Sequence, residues 1–428
     1  MTIFLLIILT AYLLVVVLGY WLDYLNLSHL KKYGSVIPPE FEGHIDQALL
    51  SRTKDYNVEH TKFDFIHSVF NNVIFLFFIL ALLNIYNSWV VSLDRPFVLT
   101  GLIFFLLLTY AETIVSMPFD LYSTFKIENK YGFNTMTFKL WLTDTIKSML
   151  ISTVLMALVI TIALFIIQRS PDFWWLWVWG FFFAFSIFMM YVSPYVIEPL
   201  FHKFTPIENE ELESGIRGLM QKVGIRVSRV FKMDASKRTK HTNAYFTGIG
   251  KVKRIVLFDT LIDKMDRDEV LSVLAHEAGH WKKKHLLKTL AVTETLALVI
   301  TYISYQILQS DFLLSLFHIE KNSFFAKLVV LGFIGSIVSF PFSPLFNYFS
   351  RRHEDEADGY AYEITGDTKS MISTLVKLSK DNLSNLHPHP LYALFHYSHP
   401  PVLERIRRIK ELTYRNHRVT ETRREKRR

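Results

Sequence analysis

Stretches of about 20 mostly apolar residues, enough to cross a hydrocarbon core about 30 Å thick, recur along this chain and leave it few folds to adopt. Residues 2–20, 69–86, 97–117, 149–167, 173–192, 290–308 and 328–346 all qualify. Glu112 and Glu294 are the only charged residues inside them. The composition, 51% hydrophobic over 428 residues, exceeds what a soluble chain carries and agrees with a polytopic membrane protein. No Lys or Arg precedes the first stretch and no small-residue cleavage site follows it, so it reads as a retained span.

Seven spans put alternate loops on opposite sides. One set holds only Arg95, Arg169, Lys321 and Lys327, while the other holds the rest of the 47 Lys and Arg residues. Positive loops stay inside, which predicts the amino terminus outside and the carboxyl terminus in the cytoplasm. This distribution also explains the net charge of +8 without nucleic acid. The basic tail, residues 405–428, reads as a solvated segment near anionic lipid. The chain thus divides into five amino-terminal spans (1–192), a cytoplasmic segment (193–288), two further spans (289–346) and a second cytoplasmic piece (347–428).

In the first cytoplasmic segment the spacing predicts a helix over 209–223, with Leu212, Ile216, Leu219 and Met220 on one side and Gly224 as its stop. Residues 229–233, 243–247 and 254–258 are rich in β-branched and aromatic side chains and predict a small sheet. Asp266 and Glu269 then have capping-box spacing, so a helix should begin there and run through His285.

That helix carries His276, Glu277 and His280 as an HExxH motif. Residues four apart share a helix face, so both imidazoles can reach one Zn²⁺. Glu277 lies one residue round the helix, beside the position left for water, where it can take the proton of an attacking water molecule. The chain has no cysteine, so any further ligand must be a histidine or a carboxylate. Residues 350–365 read as a second helix ended by Gly366, on which Glu354 and Asp358 share a face and Ala357 and Ala361 allow close packing. Glu354 is assigned as the third ligand of a single zinc ion. Asp358 is expected to accept a hydrogen bond from the far nitrogen of a liganding histidine. His285 and His353 point off the metal face by their spacing, and His387 and His389 fall in a Pro-rich turn.

These residues resemble the type I CAAX prenyl protease family of membrane zinc metalloproteases. HEAGHWKKKH from His276 is similar to its zinc helix and EDEAD from Glu354 to its E-x-x-x-D element; NAYFTG from Asn243, RIVLFDTL from Arg254 and HPPVLERI from His399 follow the family's other motifs in order. The resemblance implies that His399 and Arg405 help stabilise the oxyanion of the tetrahedral intermediate, and that Asn243 and Ala244 form an edge strand that pairs with the substrate backbone. It implies a barrel of seven helices around a water-filled chamber roofed by the zinc domain. It also implies removal of the last three residues of a prenylated CAAX polypeptide, with membrane lipid as the surroundings. The absence of cysteine leans toward a bacterial inner membrane, the endoplasmic reticulum being the eukaryotic counterpart.

Three rivals share some of these features. A quality-control protease of the HtpX kind has the zinc chemistry but fewer spans. A site-2-type intramembrane protease places its HExxH within a span, whereas Lys282, Lys283 and Lys284 follow this one directly. A transporter or channel with a structural zinc site would carry more charge inside its spans than Glu112 and Glu294.

Overall fold

A computed structural model describes residues 3–247 and 252–425. Thr2 of the first apolar stretch and Gly248 of the motif beginning at Asn243 lie outside the described residues. The seven apolar stretches lie in helices long and apolar enough to cross a membrane: Ile3–Tyr33, Gln47–Ser92, Phe97–Glu128, Phe138–Arg169, Trp174–Phe201, His285–Leu308 and Phe324–Thr365. Each packs on the next in chain order except that the fifth meets the sixth across the intervening domain's sequence, and the seventh returns to the first. The ring therefore closes.

A helix in a solid bundle hides a stripe of at least about 100°, or roughly a quarter of its circumference. The most apolar windows of these seven are only 0–17% buried. This low burial agrees with a ring rather than a solid bundle. One end is plugged: the seventh span crosses the second and third there, and Leu83, Val90, Phe104, Leu164, Phe325 and Val330 form a buried core. Gly101 sits in that plug, where an added Cβ would fall 2.3 Å from Leu164 and 2.4 Å from Phe325.

The other end carries a mixed sheet in the order β1-β2-β4-β3: β1 (Phe204–Pro206), β2 (Arg226–Met233), β3 (Ala244–Thr247) and β4 (Val252–Phe258). β2 and β4 run parallel, and β3 lies antiparallel to β4 on the edge. The expected three strands are present, and β1 is an addition that its three residues and terminal proline concealed. The helix Glu210–Val223 is capped by Asn209 and stopped by Gly224 at φ 82°, a conformation that glycine adopts freely. Its Ile216 and Met220 join Ile255, Leu257 and Leu274 in a dry core.

Asp266 and Glu269 form the capping box of the helix Arg267–Lys282. This helix does not run through His285 as expected. Lys284 takes φ 58° and a new helix starts at His285, a break that turns the chain toward the sixth span while burying His285 against His280. The second helix, Ser343–Thr365, begins earlier than its predicted start because Pro344 occupies its first turn, where a missing N–H costs nothing. Gly366 at φ 65° ends it.

Candidate metal centre

The HExxH helix and the helix Ser343–Thr365 pack closely enough that a Cβ on Gly279 would lie 2.9 Å from the backbone of Ala357. Ala278, Ala357 and Ala361 are fully buried in the same seam. Small residues at these positions bring the two helix backbones together, and the polar side chains beside the seam converge.

His276 Nε2 lies 3.1 Å from His280 Nε2, and Glu354 places Oε2 3.3 Å from the first and Oε1 3.2 Å from the second. One ligand atom from each of the three residues falls within 4.8 Å of the others. Two imidazole nitrogens facing each other beside a carboxylate are poorly satisfied by protons alone, and a cation between them suits all three. Glu354 Oε2 is buried without a hydrogen bond of good geometry, a second sign that this donor set fits a metal ion. Burial pushes the His276 imidazolium pKa down, but hydrogen bonds to Asp358 and Glu354 outweigh it and hold the ring up at about 9. The site thus attracts positive charge.

The outer supports are equally defined. Asp358 Oδ1 meets His276 Nδ1 at 2.8 Å, and Arg405 grips Asp358 through Nε at 2.8 Å and Nη2 at 2.7 Å. Only Nη1 of Arg405 turns toward Glu354, 3.8 Å from Oε2. Arg405 therefore braces the histidine partner first and reaches the cleft with one nitrogen. His399 lies on the rim, its side chain 65% exposed and Nδ1 2.9 Å from Glu354 Oε2. His285, set aside as a ligand by its spacing, braces His280 from behind at 3.0 Å and is itself held by Glu356 at 3.1 Å and stacked on His353. The helix break at Lys284 hid this role from the helical period. His387 and His389 serve the fold: the first bonds Val36 O and the second caps the helix Pro390–His396.

A cleft of about 220 Å³ joins these groups to Thr242, Asn243 and Ala244. A larger groove, about 1050 Å³, lies between the second and third spans away from the histidines. Burial raises the Glu277 carboxyl above its ordinary pKa against the pull of His276 and His280. Asn243 O accepts from Phe258 N at 3.1 Å, so the antiparallel alternation leaves the N–H and C=O of Ala244 facing away from β4. The Ala244 N–H bonds Asn243 Oδ1 at 2.8 Å.

Comparison with known proteins agrees with this geometry. The family profile described as CAAX prenyl protease N-terminal, five membrane helices, matches residues 26–203, and that of peptidase family M48 matches residues 206–413. CAAX prenyl protease 1 of Saccharomyces cerevisiae is 32% identical over 90% of this chain and 89% of its own length. An uncharacterised metalloprotease of Bacillus subtilis, YhfN, is 33% identical over 78% of this chain and 79% of its own. The crystal structure of Saccharomyces mikatae Ste24p superposes with a TM-score of 0.87 at 30% identity, covering 96% of this chain and 99% of that one. With both segments matched and His276, His280 and Glu354 grouped as a metal ion would need beside a ring of seven apolar helices, the chain belongs to peptidase family M48, as a multi-pass membrane metalloprotease that acts on polypeptides.

Proposed function

We propose that the metal is zinc, held by His276, His280 and Glu354, and that the enzyme removes the last three residues of prenylated CAAX polypeptides at the cytoplasmic face of a bacterial inner membrane, with the amino terminus outside. The observation that carries this reading is the convergence of those three side chains on one another, with His276, Glu354 and Glu277 lining a cleft that opens onto the edge of β3. Two imidazoles and one carboxylate form a donor set that suits zinc and leaves a position open. The positive loops support the topology, and the match to CAAX prenyl protease 1 over 90% of the chain supports the substrate and weighs against an HtpX-like protease.

When bound, the ion supplies acidification of a water molecule and polarisation of the scissile carbonyl. Glu277 receives the proton of the attacking water and later passes it to the leaving amine, a task that suits a carboxyl whose pKa burial has raised. His399 donates to the oxyanion from the exposed rim, and Arg405 Nη1 adds positive charge from below. Asp358 fixes the His276 ring through Nδ1 and leaves Nε2 for the metal. Ala244 offers its outward N–H and C=O to the substrate backbone as an added strand, with Asn243 Oδ1 releasing the N–H to it.

Purified protein assayed with farnesylated and unmodified peptides, with and without a chelator, tests the reading. Cleavage of the farnesylated peptide, lost on chelation and restored by zinc, is the expected result. Equal cleavage of both peptides would reject the prenyl preference and leave a general membrane protease. Activity that survives complete metal removal would reject the site.

A further inference from the structure

The edge strand offered to substrate is fastened to the membrane region. Arg238 to His241, its lead-in, runs against the loop between the third and fourth spans and the start of the fourth: Asn134 pairs with Thr239 and Lys240 N bonds Phe133 O at 3.0 Å in the loop, and Arg238 Nε bonds Asp144 Oδ2 of the fourth span at 2.8 Å. His241 then stands two residues before Asn243. Its ring stacks on Phe133 at 4.2 Å, Nδ1 lies 2.9 Å from Asn382 Oδ1, and Nε2 lies 3.4 Å from Glu128 Oε2. Acceptors on both nitrogens are satisfied together only by the doubly protonated ring.

Glu128 is the other half of this fastening. It ends the π-helical turn Ser123–Glu128 of the third span, and its Oε1 receives Tyr56 OH at 2.8 Å and His60 Nε2 at 2.8 Å from the second span. One carboxylate thus ties two spans to the segment that delivers Asn243 and Ala244. β3 has a sheet neighbour on one side only among the described residues, so its ladder alone does not fix its distance from His276. Strand addition needs that distance held to within about 0.5 Å.

We propose that Glu128, acting through His241, is a positioning residue that sets the substrate-binding edge against the metal centre and so governs substrate affinity. This rests on the reading of β3 as the substrate edge. The barrel then contributes to recognition as well as containment.

Steady-state kinetics on the purified, metal-loaded full chain test it. Glu128→Ala and His241→Ala are each expected to raise KM about tenfold with kcat within about twofold and metal content unchanged, the effect of losing the Glu128–His241 hydrogen bond that both variants remove. The double variant should be little worse than either alone, and Glu128→Gln, which keeps an acceptor for Tyr56 and His60, should recover part of the loss. A purely structural role predicts less folded enzyme at normal KM, so KM unchanged in the folded variants would overturn the proposal, as would a fall in kcat alone or fully multiplicative effects. If Glu128→Ala does not fold, Glu128→Gln and His241→Ala decide by the same KM criterion. Peptides N-methylated at successive amides around the scissile bond separate this from the edge-strand reading. If no N-methylation weakens binding to the unaltered enzyme, the edge-strand reading falls and the positioning role with it. If N-methylation weakens binding while the Glu128 and His241 variants keep a normal KM, only the positioning role falls.

Discussion

Around the HExxH helix, Leu274, Ala275 and Ala278 are completely buried, whereas Leu150 and Val154 on the fourth span stay 63% and 69% exposed. Both sets are apolar, and both lie in helices. The first group builds a water-excluding core whose interlocked side chains hold His276 and His280 in register with Glu354. In the second, lipid is the solvent, so apolar surface needs no partner and association rests on close seams. The protease domain is consequently a packed frame behind the narrow cleft at His276 and Glu354, and the barrel an open ring secured at the plug around Gly101 and at polar fastenings such as Glu128. Precision is concentrated where chemistry needs it.

The sharpest way to probe that division is to alter chemistry without altering the frame. Glu277→Gln keeps the side-chain volume and removes its basicity, so turnover should fall by about 10²–10⁴-fold with metal content and thermal stability unchanged. Metal analysis beside a cleavage assay checks this, and activity within about tenfold of the unaltered enzyme would end the assignment of Glu277 as the base. Leu274→Ala does the reverse. It opens a cavity in the frame and should cost about 2–5 kcal/mol, measured as earlier thermal unfolding of the protease domain. His399→Ala, on the rim, should lower kcat by about 10²-fold with normal stability, since the donor proposed for the oxyanion has little of the fold resting on it.

Much of the frame was legible because it is written in local periods. The capping box at Asp266, the stop at Gly224, and the shared faces of His276 with His280 and Glu354 with Asp358 all follow from residues within a few positions of one another. The seven spans were legible through length and apolarity alone, and their closing into a ring only through the family resemblance. What stayed hidden depends on distant partners: Glu128 meets His241 across 113 positions, and Arg405 meets Asp358 across 47. His285 was hidden for a different reason. A helical period assumes an unbroken helix, and the left-handed turn at Lys284 returns that ring to His280; the change from a charged run to an apolar one at that point was the available signal. Gly279 makes a prediction about the seam: Gly279→Ala drives a Cβ into the Ala357 backbone and should cost about 1–3 kcal/mol, with metal affinity falling as the two helices part. Normal metal affinity in a fully stable Gly279→Ala would show that the seam does not set the ligand geometry.

The smallest expected effect is the one that tests the comparison most directly. Val154 lies on the fourth span and is 69% exposed, so its side chain gains little from protein neighbours. Removing two methyl carbons there exchanges contact with lipid or chamber for slightly less of the same contact, and no cavity forms. Val154→Ala should therefore shift stability by no more than about 0.5 kcal/mol and leave kcat and KM unchanged. The same deletion size in the protease core would cost several times that, because neighbours there cannot close the gap. Thermal unfolding in lipid nanodiscs, read beside the Leu274→Ala result, provides the measurement. A loss at Val154 comparable with that at Leu274 would mean that the fourth span is packed against something along its length. The barrel would then be a solid bundle, and the open space within the ring would have to be abandoned.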